Sequence, residues 1–183
     1  FKGRVGVVGF GSALGPVWLT EVARMRGGDE ANMDPAFQYL RELLPNVGAV
    51  APSPGALATL IQQGQVDICA HYSNNVGDLQ AKGVPVALAR PDTGWGIVRT
   101  TMHVVKNTRE PKLAAAYINA ALDVEVQGKL ADAPYYLAPT NTRVGYTKGL
   151  QQFARDAGEL ERFKSIDWIR LAPLRQAYID RFN

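Results

Sequence analysis

The chain from Val5 to Gly15 reads Val-Gly-Val-Val-Gly-Phe-Gly-Ser-Ala-Leu-Gly. An apolar strand that runs through glycines into a helix lets a polar group approach the helix N–H groups closely. That chemistry holds a dinucleotide pyrophosphate. The spacing here, Gly9-x-Gly11-x-x-x-Gly15, is one residue longer than the dinucleotide fingerprint. The fingerprint also needs a second strand ending in an acidic residue roughly 20 positions on. Asp29 and Glu30 lie near that distance, but they follow a helix end, Arg24-Met-Arg-Gly-Gly28, and precede another helix. Three readings stay open: a nucleotide-using α/β enzyme, a plain tight turn, or a turn that holds some other small polar ligand.

Other reactive side chains are sparse. Cys69 is the single cysteine, so an internal disulfide is excluded. It sits in the apolar stretch 66–70, where a small buried hydrophobe is the simpler role. His71 and His103 have no helical i,i+4 relation and no second cysteine, which argues against zinc. No nucleophile–base pair is recognisable, so the chain reads as a non-enzyme with no cofactor and no metal. The net charge is +3, from 20 basic and 17 acidic residues. The densest basic stretch, 155–164, also holds Asp156, Glu159 and Glu161, which describes a solvated helix face and not a nucleic-acid patch. Apolar residues make up 46% and charged residues 20%, as in ordinary globular domains. No apolar run is long enough to span a bilayer, and no targeting leader is recognisable in these residues.

The elements that would position these groups follow from periodicity and punctuation. Residues 4–9 read as a buried strand, and Pro16 suits the first turn of a helix reaching Met25. Asp34-Pro35 starts a helix with Phe37, Leu40, Leu43 and Leu44 on one face, stopped by Pro45. Strands are expected at 47–51, 66–71, 84–89 and 98–105. Ser53-Pro54 opens a helix with Leu57, Leu60 and Ile61 inward, and 73–81 forms a shorter one. Pro111 starts an alanine-rich helix, Asp123 caps another, 135–141 is extended, and an amphipathic helix runs from Trp168 to Phe182. Alternation of strands and helices gives an α/β fold, a mixed sheet flanked by helices.

The order of segments resembles that of type II periplasmic solute-binding proteins serving ABC importers, in their polyamine-type branch. The resemblance rests on Phe1-Lys-Gly-Arg-Val-Gly-Val-Val8, Gly11-Ser-Ala-Leu-Gly15, Ala31-Asn-Met-Asp34 through Leu43-Leu-Pro-Asn-Val47, and Ser53 through Gly64-Gln-Val-Asp-Ile68. It continues through His71-Tyr-Ser-Asn-Asn75, Lys106 to Gln127, Leu137-Ala-Pro-Thr-Asn141, and Asp167-Trp168 to Asn183. It implies two lobes that clasp a ligand without doing chemistry. It also implies that this sequence is a fragment beginning near the crossing into the second lobe. Residues 1–97 would then be the second-lobe core. Residues 98–140 would return to an absent first lobe, and 141–183 would pack back on the second. The implied partners are a small polar solute and a membrane permease, with no nucleic acid and no direct membrane span. The implied place is the periplasm or the extracellular face.

By that resemblance the ligand-facing residues are Gly11, Ser12, Ala13, Ser53, Tyr72, Ser73, Asn75, Trp95, Thr100 and Tyr136. Ser12 could equally be a helix cap, and for Ser53 capping is the favoured role. Tyr72 stands where the family has a cleft tryptophan, and Asn75 where a polyamine binder has an aspartate. A Trp-x-Asp signature falls on Val98 and Thr100, and Trp95 could supply the ring instead. Two carboxylates are thus replaced by Asn75 and Thr100. A buried amine without a counter-charge is costly, so an uncharged, zwitterionic or weakly anionic ligand is expected. Adjacent tyrosines bind iron in ferric-binding relatives, but Tyr135-Tyr136 follows a different segment, so cleft or packing roles are expected there.

Overall fold

A computed structural model describes residues 1–154, 156, 158–159 and 163–183. Half of the stretch 155–164, where a mixed-charge helix face is expected, lies outside the described residues. Strand β1, Val5–Val8, is the centre of a three-stranded parallel sheet, with β2, Val47–Ala51, on one side and β3, Ile68–Cys69, on the other. Val7 pairs with Val50 and Val8 with Ala51, while Gly6 pairs with Cys69. Alternation along β1 puts successive side chains on opposite faces. Val8 packs with Leu14, Leu57 and Val66 on one side. Val7 meets Phe37 and Phe182 on the other.

Helix α1, Leu14–Met25, follows β1 after the turn 9–13, and its first turn packs close against the end of that strand. Gly15 is required by this close approach, because a Cβ there would run into the Gly9 carbonyl. Helix α2, Asp34–Leu43, carries proline in its first turn and tightens at Leu44–Asn46, where Pro45 ends it. Helix α3, Pro54–Gln62, buries Leu57, and α4, Ser73–Ala81, buries Val76 and Leu79. The first core joins α1 and α2 to the C-terminal helices α7, Trp168–Leu171, and α8, Arg175–Phe182, through Phe10, Leu19, Met33, Phe37, Leu171 and Tyr178.

Polar ties reinforce that junction. The buried Glu30 carboxylate accepts from Arg24 Nη2 at 2.5 Å and from the Asp167 amide at 2.8 Å. Tyr178 Oη donates to the Glu30 carbonyl at 3.2 Å, and Arg175 donates to the Phe10 carbonyl at 2.9 Å. Arg170 meets Asp29 at 3.0 Å, and Arg181 pairs with Asp34. A second small sheet pairs β4, Gly96–Ile97, in parallel with β5, Lys164–Ser165. A third cluster gathers Ala131, Leu150 and Phe153.

Several expected elements differ. The strand expected over 66–71 is confined to β3. Residues 84–89 form no strand: Pro85 has no N–H to offer, the Val86 amide turns back to the Val84 carbonyl at 2.8 Å, and the Gln80 side chain occupies the Val86 carbonyl at 3.1 Å. The strand expected over 98–105 is not formed either. Only β4, just before it, finds a partner, and Met102, Val104 and Val105 stand exposed. Helices α5, Pro111–Ala121, and α6, Val124–Ala131, form as expected, and Asp123 caps α6 through the Glu125 amide at 2.8 Å. Yet α5 buries no residue, and Leu113 and Tyr117 are about two-thirds exposed (66% and 68%). A turn occupies Tyr135 where extended chain was expected, and Tyr136 has a φ of 48°. The final helix is broken into α7, a tight turn over Ala172–Leu174, and α8, because Pro173 cannot continue the ladder.

Candidate functional site

All three strands of the main sheet run the same way, so their carboxyl ends share one edge. Each strand there passes into a helix: β1 into α1, β2 into α3, β3 into α4. The connection from β1 leads to β2 on one side, and α3 carries the chain across to β3 on the other. In open α/β sheets such an edge is where ligands settle. First-turn N–H groups of a helix have no intrahelical acceptor, and the helix dipole adds partial positive charge. Three such starts converge here.

The turn Gly11–Ala13 leads into α1 with no side-chain cap, so Ser12 is not the helix cap. Its hydroxyl is buried and makes no well-aligned hydrogen bond. Gly11 lies against the β2–α3 turn, where Pro52 approaches. Ser53 does cap: its Oγ accepts from the Ala56 amide at 3.2 Å, which occupies the side chain in holding α3. Tyr72 precedes α4 and packs on the Val8–Leu57 core. Burial pushes its phenol pKa up, and the nearby Leu14 amide and Ser12 hydroxyl partly counter that rise. The phenol therefore stays protonated and lies beside the first turn of α1. Ser73 Oγ donates weakly to the Tyr136 carbonyl at 3.4 Å, which brings Tyr136 to the α4 start. Asn75 lies two residues further into α4, half-buried.

The structure thus groups Gly11, Ser12, Ala13, Ser53, Tyr72, Ser73, Asn75 and Tyr136 around one sheet edge. Trp95 and Thr100 do not join them. The Trp95 indole donates to the Phe153 carbonyl at 3.0 Å and stands edge-on to the Phe153 ring at 6.1 Å. Thr100 is exposed on the unpaired segment after β4. Tyr136 stands edge-on to Phe153 at 5.9 Å, while Tyr135 is exposed.

One residue at this edge was missed as a site candidate. His71 Nδ1 accepts from the Tyr72 amide at 2.9 Å, which fixes the neutral tautomer with hydrogen on Nε2. Burial holds its pKa below the ordinary value, and the Pro54 carbonyl acts the other way. Its place as the last residue before a strand-to-helix turn was the available signal. No charged group perturbs either His71 or Tyr72. Cys69 is half-buried in the strand just before, and burial raises its thiol to about 11. Asp29 and Glu30, the acidic pair weighed for a ribose, lie beyond the far end of α1 and are engaged with the C-terminal helices.

No family model and no curated protein matches the sequence. Solved structures do. The chain is similar to an ABC transporter structure from Clostridium perfringens ATCC 13124, with a TM-score of 0.72 and 21% identity over 100% of this chain. It is similar to an extracellular solute-binding protein from Bordetella parapertussis, with a TM-score of 0.78 and 20% identity over 99%. An ABC transporter substrate-binding protein from Bradyrhizobium japonicum USDA 110 gives 0.69 and 17% over 97%. The chain spans 58%, 55% and 58% of those structures' own lengths. The likeness establishes the fold: an α/β architecture with a parallel sheet flanked by helices. Among the described residues no helix is long and apolar enough to cross a membrane.

Proposed function

We propose that this chain forms the greater part of a solute-binding protein of an ABC importer, acting outside the cytoplasmic membrane and handing its solute to a membrane permease without chemistry. The observation that carries the reading is the convergence of three helix starts and short polar side chains on one sheet edge, in a fold shared with such proteins. Residues 1–97 and 141–183 make one lobe in this reading. Residues 98–140 belong to the other, which accounts for the exposed apolar side of α5. The solute is small, polar and uncharged, zwitterionic or weakly anionic. Neutral hydroxyls, an amide and a neutral imidazole line the edge, and none of them offers the counter-charge that a buried polyamine requires.

The rival is a nucleotide-using enzyme at the Gly9–Gly15 turn. It loses ground because Gly15 serves helix–strand packing and because Asp29 and Glu30 are committed elsewhere. A thermal-shift screen of the full-length protein against NAD(P) and a panel of small metabolites tests the choice. A shift of several degrees with a metabolite and none with NAD(P) is expected. The opposite pattern would reverse the assignment.

A further inference from the structure

Two aromatic residues stand near the ends of the segment 98–140, Trp95 just before it and Tyr136 close to its return, and both are fastened to Phe153. The Trp95 indole donates to the Phe153 carbonyl at 3.0 Å and stands edge-on to its ring at 6.1 Å. The Tyr136 ring stands edge-on to the same ring at 5.9 Å. Phe153 is buried and packs with Ala131 and Leu150. Trp95 is also held from its other side, because its carbonyl accepts from the Lys164 amide at 3.0 Å. Tyr136 is held in turn at the start of α4. Its carbonyl accepts from Ser73 Oγ at 3.4 Å, and its ring fills the space over Gly77, where a Cβ would overlap the ring carbons. Tyr136 takes this seat with a φ of 48°, a left-handed backbone that a bulky residue adopts only where its surroundings impose it.

We propose that Trp95, Phe153 and Tyr136 form a hinge bracket: the body carried by 98–140 swings about one buried ring, and Tyr136 passes its position on to the start of α4. This rests on the reading that 98–140 belongs to a second lobe. Two linkers independent of each other would let that body drift in several directions. Two linkers pinned to one ring leave mainly a rotation about it, with the change absorbed by a few residues at element ends. The first turn of α4 follows Tyr72 and carries Ser73 and Asn75. The bracket therefore ties this side of the ligand edge to the position of the other lobe. Gly77 completes the device, since any side chain there would push the Tyr136 ring off the helix.

The test is a spin-label distance measurement on the full-length protein without solute, in a Cys69→Ala background. Labels go on Gln63→Cys at the end of α3 and Lys112→Cys in α5, both exposed, with Gln63→Cys and Gln38→Cys as a control pair inside the core body. Phe153→Ala should widen the 63–112 distance distribution about twofold, with the Val7 amide still protected from exchange. Gly77→Ala keeps Phe153 and unseats Tyr136. It should widen the distribution as well, and speed exchange of the Val76 amide, which donates to the Tyr72 carbonyl at 3.1 Å, about tenfold relative to Val7. Alanine's helix propensity alone would slow that exchange, so the sign separates the bracket from propensity. A wild-type 63–112 distribution wider than the control but unmoved by either variant, or slower Val76 exchange in Gly77→Ala, would overturn the bracket and leave the two-lobe reading standing. A 63–112 distribution as narrow as the control in wild type and both variants would overturn both.

Discussion

Replacing Glu30 with alanine should loosen the C-terminal helices from the sheet. The carboxylate is only 4% exposed and serves two donors, Arg24 and the Asp167 amide. Alanine leaves that amide without an acceptor in a dry place, at a cost of about 1–3 kcal/mol. It also takes one of the partners of Arg24, which keeps Glu21 at 2.5 Å and the Ser165 carbonyl at 3.2 Å. A buried pair broken from one side costs about 3–5 kcal/mol. The retained partners of Arg24 place the total near the lower end, about 3 kcal/mol. For a chain of this size each kcal/mol moves Tm by about 2–4 °C, so a fall of roughly 6–12 °C is expected. Glu30→Gln keeps an acceptor for the Asp167 amide and should lose about half as much. Urea unfolding followed by circular dichroism gives the free energies directly. An alanine variant within about 0.5 kcal/mol of wild type, the range of neutral surface changes, would refute the view that Glu30 joins the two parts.

Ser53→Ala removes the α3 cap and should cost about 1 kcal/mol in the same urea experiment, since its hydroxyl is the acceptor for Ala56. The depressed pKa of His71 means that the unfolded chain binds its proton first as pH falls. Its stabilising contribution is complete above about 6.5 and is lost as pH falls through the lower folded value, so a His71→Gln variant should show a flatter stability profile between about pH 7 and 5. The 183-residue chain by itself should self-associate through the exposed face of α5. Light scattering should report species above monomer mass at micromolar concentration, and Leu113→Glu with Tyr117→Glu should restore the monomer.

Local signals carried the first half of the chain. Pro16, Asp34-Pro35, Pro45 and Ser53-Pro54 sit where helices start or stop, and the helix boundaries there follow them within a few residues. The apolar pattern also identified Leu57 as inward, and it is fully buried. Failures gather where structure depends on a partner rather than on local sequence. Residues 84–89 and 98–105 have the composition of strands, but a strand needs a neighbour, and the sequence does not say whether one is in place. The pairing of β4 with β5 joins segments 68 positions apart (Gly96 with Lys164), and no local pattern announces it. The candidates from Gly11 to Asn75, named by resemblance, do fall at strand-to-helix turns, which local punctuation marks. The surroundings of Trp95 were not legible, because an indole reads the same in a cleft as it does donating to Phe153. Glu30 shows the reverse case: sequence position offered it as a ribose ligand, and only the fold reveals Arg24 and Asp167 around it.

Calorimetric titration of the full-length protein with spermidine, with putrescine and with neutral and anionic solutes that emerge from the thermal screen tests the central claim most directly. An edge lined by Ser12, Ser53, Tyr72, Ser73 and Asn75 should bind a neutral, zwitterionic or weakly anionic solute in the micromolar range or tighter. Tyr72→Ala should weaken that binding at least tenfold, and the polyamines should give little or no heat. Submicromolar binding of spermidine, or solute binding that Tyr72→Ala leaves untouched, would contradict the account.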